Sequence, residues 1–258
     1  DCGGIVVGMR TDSDYSSSGS PDLRILAAQC ASLVHSYLFA MFRSIARRNM
    51  FDNLASSYDT PWKIARSQEV AAVISSRPWF RSGEKLLDVG AGTGLLTFAM
   101  EPHFKQLTAY DTSAGMLEVL NNKLVELDDR KIATSMGPIS NLGTYDLIVS
   151  LLAFHHVKDF VALAGELNNN LKPGGRLVVA DLVAGDHVRL FHKPWQMCGE
   201  HYEHDGFTEQ QFQDMFGPGY TSYDEQRLVI RKKVDREWNC EHEELDFVLA
   251  VASSEKAC

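Results

Sequence analysis

The sequence predicts an α/β fold: a mostly parallel sheet with helices on both faces, closed by an antiparallel C-terminal hairpin. Three observations carry this. Short apolar runs alternate with helical patterns from about residue 51 onward, a glycine-rich loop follows the first of those runs, and two long strand-like stretches end the chain. Strands that alternate with helices form βαβ units, whose parallel strands are buried on both faces.

The elements follow in order. "EKLLDVG" (84–90) is an apolar run bounded by Gly and reads as a buried parallel strand. Residues 93–101 read as a helix stopped by Pro102. "QLTAYD" (106–111) is a second strand that ends in an acid, and 113–127 carries apolar residues at 116, 117, 120, 124 and 127, a helical spacing. "KIATSM" (131–136) and "YDLIVSLLAF" (145–154) are the third and fourth strands. A helix over 159–171 is closed by the breaker cluster "KPGG" (172–175), and "RLVVADLV" (176–183) is the fifth strand. Thr208 caps a helix over 209–216, with Gln211 in the capping-box position. Residues 220–234 and 245–253 read as two strands that pair antiparallel at the sheet edge.

The first fifty residues differ. Residues 11–21 are Ser-rich and polar and read as disordered, whereas "ILAAQCASLVHSYLFAMF" (25–42) is mostly apolar and is followed by Arg43, Arg47 and Arg48. It reads as a docked or amphipathic helix, with a targeting segment as the second reading and a bilayer anchor as the last, because it is short for a span and holds Gln29 and His35. The expected organisation is an extension over 1–50 and a catalytic domain over 51–258. The expected location is cytoplasmic, or mitochondrial if the extension is a targeting sequence.

Composition narrows the function. With 258 residues, 45% of them hydrophobic, the chain buries a full core. A net charge of −9 argues against a protein that grips nucleic-acid backbone, so no nucleic-acid partner is expected. The five cysteines are odd in number and hold no CxxC pair, which favours a reducing compartment and suggests neither disulfides nor zinc. The basic run "IRKKVDR" (230–236) reads as the solvated end of an edge strand.

The loop "LLDVGAGTG" (86–94) decides the ligand class. A dinucleotide site uses G-x-G-x-x-G/A. Here the glycines fall at 90, 92 and 94 with Leu95 behind them, and Asp88 precedes the first by two residues. A carboxylate beside a pyrophosphate repels it, whereas a ligand bearing an ammonium group is attracted, so Asp88 either draws that cation or orients the loop. Asp111, at the carboxyl end of the second strand, suits both hydroxyls of a ribose. A nicotinamide-dependent oxidoreductase is disfavoured by Leu95 and Asp88.

These features, together with "AYDTSAGML" (109–117), "YDLIVSLLAFHHVKD" (145–159) and "LKPGGRLVVADL" (171–182), resemble the class I S-adenosylmethionine-dependent methyltransferases. The upstream "FDNLASSYD" (51–59) is similar to the opening segment of small-molecule members, the ubiquinone/menaquinone and related type 11 enzymes. The resemblance implies a Rossmann-like sheet of seven strands. It also implies a nucleoside site built from Tyr58, Asp88, Gly90, Ala91, Gly92, Thr93, Gly94, Asp111, Thr112 and Met116, with Met136 and Gly137 at the adenine end. Many relatives carry an Asp near the adenine end, which "SMGPIS" (135–140) lacks.

S-adenosylmethionine is thus the implied methyl donor, S-adenosylhomocysteine the product, and a small molecule the acceptor, with no metal required. A general base is needed only where the acceptor must lose a proton. The candidates are His155 and His156 after the fourth strand and His201 in a substrate-lid segment over about 184–207, which also holds His187, His192, Trp195 and His204. The competing readings are a protein or RNA methyltransferase and a non-catalytic S-adenosylmethionine-binding regulator. The former is expected to show a basic face or an N/D-PP-Y-type motif, and "SLLAFHHV" (150–157) has neither.

Overall fold

The computed structural model describes residues 50–191, 203–235 and 242–257. The apolar stretch 25–42, all five cysteines, His192, Trp195 and His201 lie outside the described residues. Among the described residues, no helix is long and apolar enough to cross a membrane.

Seven strands form one sheet: β1 (Gly83–Val89), β2 (Phe104–Tyr110), β3 (Ile132–Ser135), β4 (Tyr145–Leu151), β5 (Leu171–Leu182), β6 (Tyr220–Asp235) and β7 (His242–Lys256). Their order is β3-β2-β1-β4-β5-β7-β6. Strands β1 to β5 run parallel, and β7 is antiparallel to both β5 and β6, as the sequence predicts.

Neighbouring residues of each strand serve opposite faces. Leu86, Leu147, Val149, Val178 and Ala180 pack with helices α1 (Pro61–Ser75), α2 (Leu95–Met100) and α3 (Ala114–Glu126). Leu87, Ile148, Leu177 and Val179 pack with α4 (Phe160–Asn169) and α5 (Glu209–Met215). Continuous apolar runs are what a strand covered on both sides requires.

Three boundaries differ from expectation. The helix after the glycine loop spans only Leu95–Met100, and a 3-10 turn at Glu101–His103 then carries the chain through Pro102. The fourth strand stops at Leu151, and Phe154–His156 form a separate 3-10 turn. The fifth strand starts at Leu171 rather than 176. Tyr145 pairs with Leu171 and Leu147 with Arg176, so "KPGG" is a bulge inside β5, opposite Asp146, rather than the end of a helix. The preceding helix ends at Asn169, where the Asn170 amide donates to the Ile139, Leu142 and Gly143 carbonyls.

The capping box at Thr208 and Gln211 is present. Phe207 N–H donates to the Leu182 carbonyl and Ala184 N–H to the Phe207 carbonyl, so the excursion over 184–206 leaves and rejoins the sheet at the carboxyl end of β5. In a parallel sheet that edge is where ligands bind.

Candidate functional site

The loop after β1 is held as a rigid cradle. Gly90, Gly92 and Gly94 all have positive φ, at 74°, 56° and 85°. Two of them show distinct needs. Gly94 starts α2, and a Cβ there would stand 2.5 Å from Leu120 Cδ1 on α3, so only glycine lets the two helices approach. A Cβ on Gly92 would meet nothing nearer than Met116 Sδ at 3.9 Å and Tyr58 Cε1 at 4.0 Å. Gly92 therefore leaves a gap bordered by Tyr58 and Met116, two residues that sequence reasoning assigned to the nucleoside site.

Main-chain bonds lock this cradle to the second strand. Gly90 and Ala91 N–H both donate to the Tyr110 carbonyl, at 2.8 and 3.0 Å. The Asp111 carboxylate accepts Gly92 N–H at 2.7 Å and Ser113 N–H at 2.8 Å, one on each oxygen. Burial pushes the Asp111 carboxyl up in pKa, against these amide donors. The Thr112 backbone N–H also acts on this carboxylate, which therefore sits among three main-chain donors at the end of β2. Thr112 is exposed beside it.

Asp88 is placed differently from Asp111. It is 1% exposed, and its Oδ2 accepts from Thr97 Oγ1 at 2.6 Å beneath α2. Burial is the main reason its pKa rises to about 7. Of the two roles considered for Asp88, the bond to Thr97 is the one with a visible partner: it fixes α2, and with it the loop that leads into the helix.

A second set of residues, not identified from sequence, ties the segment before α1 over the cradle. Asp52 accepts from Ser113 Oγ at 2.5 Å and from Gly115 N–H at 2.8 Å, at the start of α3. Asp59 accepts from Thr93 Oγ1 and pairs with Lys123, whose Nζ also donates to the Thr93 carbonyl at 2.7 Å. Tyr58, between these two anchors, is thereby held over Gly92. Burial raises its phenol pKa, against the lowering effect of the nearby Arg66 guanidinium. The two acids bracketing "FDNLASSYD" were the only sequence signal.

The fourth-strand histidines divide in role. His155 is 1% exposed; its Nδ1 lies 2.6 Å from Asp181 Oδ1, and its backbone N–H donates to Asp181 Oδ2 at 3.2 Å. Asp181, at the end of β5, also accepts Leu182 N–H at 2.7 Å. His156 is half-buried, 4.1 Å from the His155 ring by centroids and 5.3 Å edge-on from Phe51. His204 stands three residues before Phe207, and its Nε2 donates to the Val157 carbonyl at 3.0 Å, which gives it a structural task. His187 is exposed. At the far end, Met136 is 48% exposed and shares an open cleft with Leu117, Asn121 and Ser135, and a Cβ on Gly137 would meet nothing. Among the described residues, no three His, Cys, Asp or Glu side chains stand together as metal ligands.

A parallel sheet with a G-x-G-x-G cradle, an acid at the end of its second strand and an antiparallel last strand is the arrangement of class I S-adenosylmethionine-dependent methyltransferases. The sequence profile of the family described as "Methyltransferase domain" matches residues 62–218, and the chain belongs to that family. An uncharacterized methyltransferase of Schizosaccharomyces pombe is 32% identical over 152 residues, covering 54% of this chain and 53% of that protein. A demethylmenaquinone methyltransferase of Tropheryma whipplei is 28% identical over 158 residues, covering 57% and 62% respectively. The chain thus spans about half to three-fifths of these curated relatives. The YcgJ protein of Bacillus subtilis shares the fold, with a TM-score of 0.61 at 17% identity over 75% of this chain and 99% of that structure.

Proposed function

We propose that this chain transfers a methyl group from S-adenosylmethionine to a small-molecule acceptor by in-line displacement. The observation that carries the reading is the cradle of three left-handed glycines joined to Asp111 and roofed by Tyr58. The place bordered by Tyr58, Gly92 and Met116 suits a thioether nucleoside, and the Asp111 carboxylate at the end of β2 suits its ribose.

When bound, S-adenosylmethionine supplies a methyl group on a sulfonium, which leaves as the neutral thioether of S-adenosylhomocysteine. The work left to the chain is orientation and exclusion of water, and orientation of this kind is worth roughly 7–11 kcal/mol. Tyr58, anchored on both sides through Asp52 and Asp59, excludes water from above the loop. His155 donates Nδ1–H to Asp181, which makes Nε2 the basic nitrogen; it takes the proton of an acceptor that must lose one. His156 is assigned to the acceptor side of the same edge, His201 stays a candidate base, and no metal takes part in the reaction.

The negative net charge and a relative named for a small acceptor, demethylmenaquinone, favour a small molecule over nucleic acid. Calorimetry tests the donor: S-adenosylhomocysteine is expected to bind in the micromolar range and NADH not at all, and the reverse result refutes the reading. A panel of phenols, quinols, amines and acids, scored by S-adenosylhomocysteine release, then identifies the acceptor.

A further inference from the structure

We infer, on the reading of His155 as the base, that His204 is its positioning residue: it grips the turn that carries His155 and so sets where that ring meets Asp181. The turn needs a support from outside. β4 ends at Leu151, and the chain reaches Phe154–His156 through Leu152, whose backbone is left-handed with φ 53°. A residue with a Cβ holds that conformation only where its surroundings enforce it. On the near side Leu152 N–H donates to the Ala180 carbonyl at 2.8 Å. The turn's own bonds run from His156 N–H to the Ala153 carbonyl and from Val157 N–H to the Phe154 carbonyl, and 3-10 bonds are poorly aligned and weak.

His204 holds the far side. Its backbone N–H donates to the His155 carbonyl at 3.1 Å. Its ring Nε2 lies 3.0 Å from the Val157 carbonyl and 3.3 Å from that of Lys158. A carbonyl only accepts, so this nitrogen carries the proton. The turn is thus gripped on both sides of His156.

The imidazole is itself fixed. Phe160 meets it edge-on at 5.0 Å between ring centroids, and the fully buried Phe207 stands 5.2 Å away. Phe207 N–H donates to the carbonyl of Leu182, the residue after Asp181. One short stretch, 204–207, therefore holds both members of the pair: His155 through His204, and Asp181 through its neighbour Leu182. The contact between them is a 2.6 Å bond that selects the His155 tautomer, and a small displacement of the turn forfeits that selection.

The test uses the full chain and three variants, each first shown to melt cooperatively. His204→Phe keeps a ring between Phe160 and Phe207 but removes the side-chain donor, His204→Gln returns a donor, and His155→Gln removes the base. NMR of isotope-labelled histidine reads which ring nitrogen carries the proton. Wild-type protein is expected to hold the proton of His204 on Nε2 and that of His155 on Nδ1. A wild-type His204 protonated on Nδ1 alone overturns the proposal before any variant is made.

In His204→Phe, His155 should lose its single tautomer. Its kcat on a panel acceptor that must lose a proton should fall tenfold or more, while S-adenosylhomocysteine affinity stays within threefold. His204→Gln should bring kcat back to within threefold of wild type. An unchanged His155 tautomer or an unchanged kcat in His204→Phe overturns the proposal. So does a loss of S-adenosylhomocysteine binding in step with kcat, because His204 would then only support the fold. A His155→Gln protein that turns over like wild type removes the base reading itself, a result that is separate from anything His204 does.

Discussion

The amide of Gly92 donates to Asp111 at 2.7 Å, so the apex of the glycine loop and the end of β2 are held by a single carboxylate. Losing that carboxylate loosens the cradle and removes the proposed ribose acceptor together. Asp111→Ala is expected to weaken S-adenosylhomocysteine tenfold or more, given about 1.5–3 kcal/mol for a charged hydrogen bond. Isothermal calorimetry checks this, and an unchanged affinity refutes the role.

Two glycines of the same loop separate folding from binding. Gly94→Ala places a methyl 2.5 Å from Leu120 in a left-handed backbone and is expected to lower stability by about 2 kcal/mol or more. Gly92→Ala meets only the smaller backbone cost, about 1 kcal/mol, yet its methyl occupies the gap bordered by Tyr58 and Met116. Urea melts and calorimetry together should show Gly94→Ala as mainly a folding defect and Gly92→Ala as a binding defect. Equal effects of the two on stability would contradict this division.

The buried Asp88 makes a prediction about pH. Its folded pKa of about 7 lies above the ordinary carboxylate value, so the folded state holds a proton that the unfolded chain has released. The stability this group contributes is therefore full at pH near 4 and is lost as pH rises through about 7. The amount is on the order of 4 kcal/mol at most. Asp88→Asn keeps an acceptor for Thr97 and removes the titration. The stability of the variant minus that of the wild type, from urea unfolding, should grow between pH 4 and 7 and then level off; a difference flat with pH would refute the raised pKa.

The pair formed by His155 and Asp181 predicts a catalytic asymmetry. For an acceptor that must lose a proton, Asp181→Asn disturbs the His155 tautomer and should lower kcat by roughly 10²-fold or more. S-adenosylhomocysteine affinity should stay within threefold. His156→Ala, which removes a ring packed on Phe51, should instead alter binding more than turnover. Steady-state kinetics on the acceptor found in the panel decides between them, and equal kcat losses would count against His155 as the base.

What was legible in the sequence was whatever rests on local pattern. Buried parallel strands such as β5 over 177–180 announce themselves as unbroken apolar runs, and Thr208 with Gln211 announces a helix start. The three glycines announced a cradle because positive φ is a local demand. Asp52 and Asp59 were invisible in their roles because their partners, Ser113 and Thr93, stand 61 and 34 residues away. Asp181 met His155 across 26 residues for the same reason. "KPGG" misled because Pro and Gly mark a helix end and a bulge alike, and only the β4 register tells the two apart.

The stretch by which this family is recognised, residues 62–218, is shorter than the unit that holds the sheet together. It omits β7, which covers the outer edge of β5 from Arg176 to Leu182, and it omits the Asp52–Asp59 clasp over the glycine loop. A chain trimmed to that stretch would present β5 as a bare edge of unpaired amides and carbonyls, a template for another copy to zip onto. Its first symptom in solution would be aggregation, long before any question of turnover arose.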